Sequence, residues 1–319
     1  MNIELLIQNG NKIYEPVVEE GITWSLERKS VPGQLTFSVL LDEVLNITEG
    51  NAVSLKVDGK KLFYGFIFTK KSDKEGIITV TAYDQLRYLK NKDTYVYKNK
   101  TVGNLVKMIA KDYRLNTGII ENTGYKIASR VEDNVAIFDM IGNALDLTMQ
   151  NQKKMYVLFD DFGKLSLQSI SSMFVNILID SETGENYSYS SSIDSNTYNK
   201  IKLFYDNDDT KKREVYIAQD SKNMNSWGVL QFYDTLKKGE NGKAKVDALL
   251  KLYNSKTRNL SVDNVIGDTR VRAGSMIVVQ LQLGDTTIHN LMMVEKVKHE
   301  FKENEHFMNL TLRGGEFVA

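Results

Sequence analysis

Histidine is scarce and cysteine absent in this chain, and spacing limits what the remaining candidates for chemistry could do. There are three histidines, His289, His299 and His306. The run His299-Glu300-Phe301-Lys302-Glu303-Asn304-Glu305-His306 has the composition of a metal cluster. A helical zinc pair needs histidines four apart and a defined third ligand, as in His-Glu-x-x-His. Here the two histidines are seven apart, in a polar stretch that reads as a hairpin loop between strands. The expectation is a solvated turn and no metal. Two acid pairs, Asp160-Asp161 and Asp208-Asp209, raise glycoside hydrolysis, which uses carboxyl groups ~5–9 Å apart. Each pair lies in a loop signature, the second preceded by Asn207, and such side chains set turns by bonding their own backbone. Gly239-Glu240-Asn241-Gly242-Lys243 holds part of a phosphate loop, but the four-residue spacer and the following Ser or Thr are missing, since Ala244 comes next. It reads as the loop before a helix at Lys243–Asn254. Neither a Gly-x-Ser-x-Gly elbow nor a Gly-x-Gly-x-x-Gly fingerprint occurs. The expectation is no catalytic, no cofactor-binding and no metal-binding residue, and no cofactor.

Tyr95, Tyr97, Tyr187 and Tyr189 have faces that could stack on a sugar or a base, although strand aromatics ordinarily pack. Lys90, Lys92, Lys98, Lys100 and Lys107 form one locally basic stretch, and Lys237, Lys238, Lys243 and Lys245 another. Interspersed acids make both read as solvated faces. Over the whole chain 41 basic residues balance 41 acidic ones. A dedicated nucleic-acid binder needs a basic excess to neutralise phosphates, and an anionic membrane attracts the same excess; neither partner is expected. With no cysteine, disulfides, thiolate metal sites and cysteine nucleophiles are excluded, and the chain suits assembly in a reducing compartment. Met1–Gln8 carries Glu4 early and has an apolar run shorter than a signal-peptide core. No apolar stretch approaches the ~20 residues of a membrane span. The chain is expected to be made and kept soluble.

The elements that must position these residues are mostly strands. Up to residue 93 apolar residues alternate: Ile22, Trp24 and Leu26; Leu35, Phe37 and Val39; Val53, Leu55 and Val57; Ile78, Val80 and Ala82. Asn9-Gly10 and Asp58-Gly59 supply hairpin turns. From 94 to 185 the period changes. Val102, Leu105, Val106, Ile109 and Tyr113 recur at helical spacing behind a Thr101 cap, and Ile137, Met140, Ile141, Ala144 and Leu145 form a second helical face capped by Asp133 or Asn134. Met155–Phe159 and Lys164–Gln168 flank a turn at Asp160-Asp161-Phe162-Gly163. From 186 strands return at Ile201–Tyr205, Val215–Ile217, Trp227–Tyr233, Leu260–Val262, Ile277–Leu281, Leu291–Val297 and Met308–Leu312. One helix near 243–256 interrupts, with Val246, Leu249, Leu250 and Tyr253 on its apolar face. The fold class is mainly β (α+β): a first β-barrel domain at 1–93, an inserted small α/β module at 94–185, and a second β-barrel domain at 186–319.

Two segments echo each other. Ile47-Thr48-Glu49-Gly50-Asn51-Ala52-Val53-Ser54-Leu55-Lys56-Val57 and Val271-Arg272-Ala273-Gly274-Ser275-Met276-Ile277-Val278-Val279-Gln280-Leu281 both place an apolar residue three before a glycine and apolar residues three, five and seven after it. Both continue through a turn (Asp58-Gly59; Gly284-Asp285) to an alternating strand. Any two three-stranded meanders share some of this; duplication of one barrel, with the module between the copies, accounts for the whole run.

Four segments carry a family resemblance. They are Trp24-Ser25-Leu26-Glu27-Arg28 with Gly33-Gln34-Leu35-Thr36-Phe37-Ser38-Val39; Ile78-Thr79-Val80-Thr81-Ala82-Tyr83-Asp84-Gln85-Leu86-Arg87-Tyr88-Leu89; Thr101–Tyr113; and Gly267-Asp268-Thr269-Arg270-Val271-Arg272-Ala273-Gly274-Ser275. In these the chain resembles the baseplate hub proteins of contractile-tailed phages, defective Bacillus-type prophages and phage-tail-like bacteriocins. The resemblance implies two tail-tube-like barrels per chain and a homotrimer whose six barrels ring an axis. That ring would be a symmetry adaptor joining the tail tube to the central spike, in contact with other baseplate proteins. It implies no enzyme activity and no active site, and a place in the tail of a virion or tail-like particle assembled in the host cytoplasm. The alternative is a phage-associated cell-wall or glycan hydrolase, or a carbohydrate-binding tail module. Edge strands meeting around a ring are expected to leave apolar strands exposed on a lone chain, and the charge balance suits a ring that does not grip DNA.

Overall fold

The computed structural model describes residues 1–314 except 20, 42–43, 195–196, 208–209, 237–239 and 284–285, and the side chains of 283 and 286. Asp208-Asp209, Lys237, Lys238, Gly239 and the Gly284-Asp285 turn lie outside the described residues.

The alternating segments before residue 84 form β1 (Ile3–Asn9), β2 (Lys12–Tyr14), β3 (Ile22–Glu27), β4 (Gln34–Leu40), β5 (Ala52–Val57), β6 (Lys60–Ser72) and β7 (Ile77–Tyr83). The turn residues do what their chemistry allows. Gly10 sits at φ 60°, and Asp58 and Gly59 at 48° and 75°, the left-handed pair of a tight hairpin. One face of these strands buries Ile7, Trp24, Leu35, Phe37, Val39, Val53, Leu55 and Val80 in a single core with Phe301. Each such side chain, fully buried, contributes about 1.5–3 kcal/mol.

The next region holds β8 (Lys92–Lys100), α1 (Val102–Asp112), β9 (Thr117–Ile120), β10 (Ile127–Ala136), α2 (Ile137–Gln152), β11 (Tyr156–Asp160) and β12 (Leu165–Ser169). Thr101 caps α1 as expected, its hydroxyl accepting from Asn104 N at 3.2 Å. The expected α2 cap is not found. Asp133 and Asn134 lie in β10, where the ladder to β8 shifts register and Asn134 takes φ 53°; Asp133 accepts from Thr94 Oγ1 at 2.8 Å. Ala136 precedes the helix without a side-chain cap. The two helices and the sheets enclose a second core.

Residues Tyr189–Asn259 form a compact unit of their own. Beyond β13 (Phe174–Ile179) and β14 (Asn186–Ser192) come β15 (Lys200–Asn207), β16 (Lys212–Gln219), α3 (Ser221–Trp227), β17 (Gln231–Thr235) and α4 (Gly242–Tyr253). Residues 227–228, read as strand, end a helix instead: Asp220 accepts from Asn223 N at 2.8 Å, and Gly228 stops the helix at φ 78°. In α4 the expected face packs on β15 and β16, with Ile201, Leu203 and Val246 buried.

The chain closes with β18 (Thr257–Ile266), β19 (Met276–Leu283), β20 (Thr286–Lys302) and β21 (Glu305–Gly314). These late strands share one sheet with the early ones: the path runs β14-β18-β21-β20-β3-β4-β7-β6-β5-β1-β2, and β13 pairs with β19. The join is antiparallel, with Val297 opposite Leu26 and His299 opposite Trp24. The architecture is mainly β with few helices.

The echo in sequence is an echo in backbone geometry. Gly50 and Gly274 take φ 88° and 96°. Each donates its N–H across the sheet, to Ile67 O and Val294 O, both at 2.8 Å. The next residues, Asn51 and Ser275, accept from Ile67 N at 2.9 Å and Val294 N at 2.8 Å. Their side chains accept from Thr48 N at 2.9 Å and Arg272 N at 3.0 Å. Each receiving strand then bulges, between Ile67 and Thr69 and between Val294 and Lys296.

Candidate functional site

The histidine run is strand, not loop. His299 lies in β20 and His306 in β21, and only Glu303 and Asn304 turn the chain, at φ 51° and 65°. His299 is fully buried, its ring 4.8 Å from Trp24; His306 stacks on Phe301 at 4.3 Å. Apolar neighbours continued the strands past the point where the polar residues suggested a solvated turn. His299 Nε2 lies 3.0 Å from Val271 O. A carbonyl only accepts, so that nitrogen carries the proton. His299 Nδ1 is then free to accept from His306 Nε2 at 2.9 Å. Burial, then the neighbouring imidazole, brings His299 down to about 3; burial brings His306 down to about 4. His306 also fixes a glycine: a Cβ on Gly267 would fall 2.1 Å from its ring. His289 is exposed on β20. No group of three or more metal-ligating side chains occurs among the described residues.

Asp160 sets the expected turn, its Oδ1 accepting from Gly163 N at 2.7 Å. It also does something the turn reading missed. It is buried, and it meets groups from two other parts of the chain. Gln85 Nε2 donates to its Oδ2 at 3.3 Å, and Arg272 Nη2 to its carbonyl at 2.6 Å. The Arg272 guanidinium stacks over Phe159 at 4.0 Å, and its shielded Nε has no hydrogen-bond partner among the described residues. Asp84, also buried, accepts from Gly33 N at 2.8 Å and Leu86 N at 3.0 Å. Burial foremost, then the charge of Asp160, pushes Asp84 well up; burial pushes Asp160 up to about 6. Burial also lowers Arg272, against the attraction of the acids.

Beside this cluster Arg28 binds Glu295 in a two-pronged pair, Nε to Oε2 and Nη2 to Oε1, both at 2.8 Å. The cavity among Gly33, Asp84, Asp160 and Arg272 has a volume of about 10 Å³, room for one water and none for a glycan. Two buried acids with raised pKa resemble an acid–base pair, but here they act as a clamp joining distant segments. Arg28, Gly33, Asp84, Gln85 and Arg272 all fall within the segments quoted above for their resemblance; the sequence signal was there, without a role attached.

The other expected positions scatter. Tyr97 is buried in the second core, and Tyr95 there donates to Asp112 at 3.0 Å. Exposed Tyr187 donates to Gln282 O at 3.0 Å; Tyr189 is half-buried. Asn241 caps α4 from Ala244 N at 3.1 Å, and Lys245 pairs with Glu240 at 2.7 Å, so the helix start is occupied by its own side chains. Lys243 is exposed.

A family model described as YQBQ-like matches residues 22–313. The chain belongs to that family. Within it, the chain is 30% identical over 324 residues to the uncharacterized protein YqbQ of Bacillus subtilis (strain 168), covering 97% of this chain and 95% of that protein. It is 29% identical over 320 residues to the phage-like element PBSX protein XkdQ of the same organism, covering 97% and 96%. Among solved structures, the 43 kDa tail protein of prophage MuSo2 from Shewanella oneidensis matches with a TM-score of 0.74 at 11% identity, over 99% of this chain and 100% of that one. The YQBQ-like chain thus has the fold of that tail protein. No helix among its described residues is long and apolar enough to cross a membrane.

Proposed function

We propose that this protein is a structural component of a prophage-encoded tail, and within it the baseplate hub: a ring-forming adaptor between the tail tube and the central spike. One observation carries the reading. The same glycine turn, side-chain latch and bulge occur at 47–68 and 271–295 of one continuous sheet. Two similar barrel units per chain, with the α/β module between them, give six similar units in a homotrimer, which matches a sixfold tube above a threefold spike. Kinship with a phage-like element protein and the fold of a prophage tail protein support it.

The surface fits an assembly role. Ile13 on the end strand β2 is 64% exposed, and Val96 and Val131, partners across β8 and β10, are 68% and 67% exposed. Such surfaces become buried in permanent assemblies. Tail tube, spike and other baseplate proteins are the proposed partners, in a particle assembled in the host cytoplasm. The function is structural rather than catalytic, because the clustered acids are locked by backbone donors and leave no substrate space. Light scattering of the purified chain with and without its spike protein tests the ring: a trimer is expected. A chain that stays monomeric with its spike, or that clears cell-wall substrate in a way abolished by Asp160→Asn, would overturn the proposal.

A further inference from the structure

A groove of about 400 Å³ opens beside β1. Leu5, Ile22 and Phe301, all buried, form its floor. Exposed Glu15, Glu19 and Glu303 line its rim. Lys302, the only basic side chain among the described lining residues, pairs with Glu303 at 3.6 Å. Glu15 and Glu19 have no ion-pair partner among the described residues. Their segment is held in place: Glu19 N donates to Ser38 O at 2.9 Å, Leu40 N to Val17 O at 3.2 Å, and Val18 bridges Val39.

The backbone along this groove is half a ladder. β2 pairs only with Ile7–Asn9, whereas β5 pairs with β1 from Ile3 to Gln8. In an antiparallel ladder the N–H and C=O of one residue point to the same side, and successive residues alternate. Asn2 O accepts from Asp58 N at 2.8 Å, at the β5 side. Asn2, Glu4 and Leu6 therefore face β5, and Ile3 and Leu5 face the groove. On that side no strand pairs with Ile3–Leu6 among the described residues. An unpaired edge above an apolar floor is a template for an added strand. The edge alone would accept many strands; two unpaired carboxylates select a basic one.

We propose that the groove takes an extended basic segment of a partner polypeptide, added as a strand along Ile3–Leu6, with apolar side chains on the floor and a lysine or arginine at Glu15 and Glu19. The groove is part of the chain's own fold, so the inference stands apart from the ring. The probes are a short synthetic peptide alternating valine and lysine, its valine–glutamate counterpart, and the first peptide N-methylated on alternate backbone nitrogens. Fluorescence anisotropy on the intact chain should show the valine–lysine peptide binding at least about tenfold tighter than either control, a difference of ~1.4 kcal/mol. Hydrogen exchange should slow at the Ile3 and Leu5 amides. Glu15→Lys with Glu19→Lys, both at exposed positions, should reverse the charge preference without moving the urea midpoint. No binding at millimolar peptide, equal binding of the two charge forms, or protection elsewhere would overturn the proposal. So would a change in the chain's own oligomeric mass in the double variant, since the occupant would then be a second copy.

Discussion

The two echoing segments share a backbone and differ in what they carry. At 47–68 the device is lightly loaded. Thr48 is exposed, and the bulge residue Phe68 lies among Tyr83, Tyr88 and Arg87, with ring centroids 5.5 and 6.1 Å away and the guanidinium at 5.2 Å. At 271–295 the equivalent positions are Arg272 and Glu295, and both are charged clamps. One reaches Asp160 and faces Asp84; the other holds Arg28. The two segments share their turn and their bulge, and the second also ties itself to side chains far along the chain. Backbone devices tolerate such exchange because their hydrogen bonds are made by main chain and one short polar side chain.

The largest difference is expected at the latch. Arg272→Ala leaves Asp84 and Asp160 buried without their cation and should cost about 3–5 kcal/mol. Thr48→Ala removes little and should cost under ~0.5 kcal/mol. Equal urea midpoints would mean that the two segments bear equal load. At the bulge, a double-mutant cycle between Arg28 and Glu295 should give a coupling of about 1.5–3 kcal/mol. The more exposed pair Lys56–Glu4 should give about 0.2–1 kcal/mol.

Next comes a steric exchange. Gly65 lies on β6 where Met292 lies on β20. A Cβ at Gly65 would fall 2.2 Å from Tyr83 O, whereas one at Gly314, opposite Met292, meets nothing within 4 Å. Gly65→Ala should cost about 1–3 kcal/mol and Gly314→Ala within ~0.5 kcal/mol, measured by thermal or urea unfolding.

The smallest net effect concerns pH, because two shifts oppose. With His299 and His306 held near 3 and 4 in the folded chain, the unfolded chain binds more protons below ~6.5. Their stability contribution is therefore full above ~6.5 and lost as pH falls toward 3. Asp84 and Asp160, raised by burial, do the reverse: the folded chain holds protons that the unfolded chain has released, so acid relieves their cost. Asp160→Asn removes part of that relief. Unfolding midpoints between pH 7 and 4 should fall more steeply in this variant than in the parent. A shallower fall would contradict the assignment. In the first segment the position matching His299 is Ser72, exposed, and contributes nothing to this balance.

Much of the fold was legible because alternation is a local signal. Val53, Leu55 and Val57, and Ile277, Val279 and Leu281, are buried where their spacing put them, and Thr101 caps the helix it precedes. What failed depended on partners far along the chain. Asp133 and Asn134 have the chemistry of a helix cap, but a neighbouring strand pulled them into a bulge. The run from His299 looked solvated because nothing local shows that Trp24 stacks on it. Asp160 was legible as a turn and illegible as a clamp, since its partners sit at 84, 85 and 272. Periodicity reports which face is inside; it cannot report which inside faces meet.

The long strand β20 gives the chain a schedule. It pairs at once with β19, β21 and β3, and the Arg28–Glu295 pair spans 267 residues. During synthesis at ~5–20 residues per second, the edge of β3 waits roughly 15–50 s for its neighbour. Throughout that interval an apolar strand edge stands open to other nascent copies. Contacts this distant also make folding slow once the chain is free. A cell making many copies at once would meet that hazard until β20 is made and closes the edge of β3.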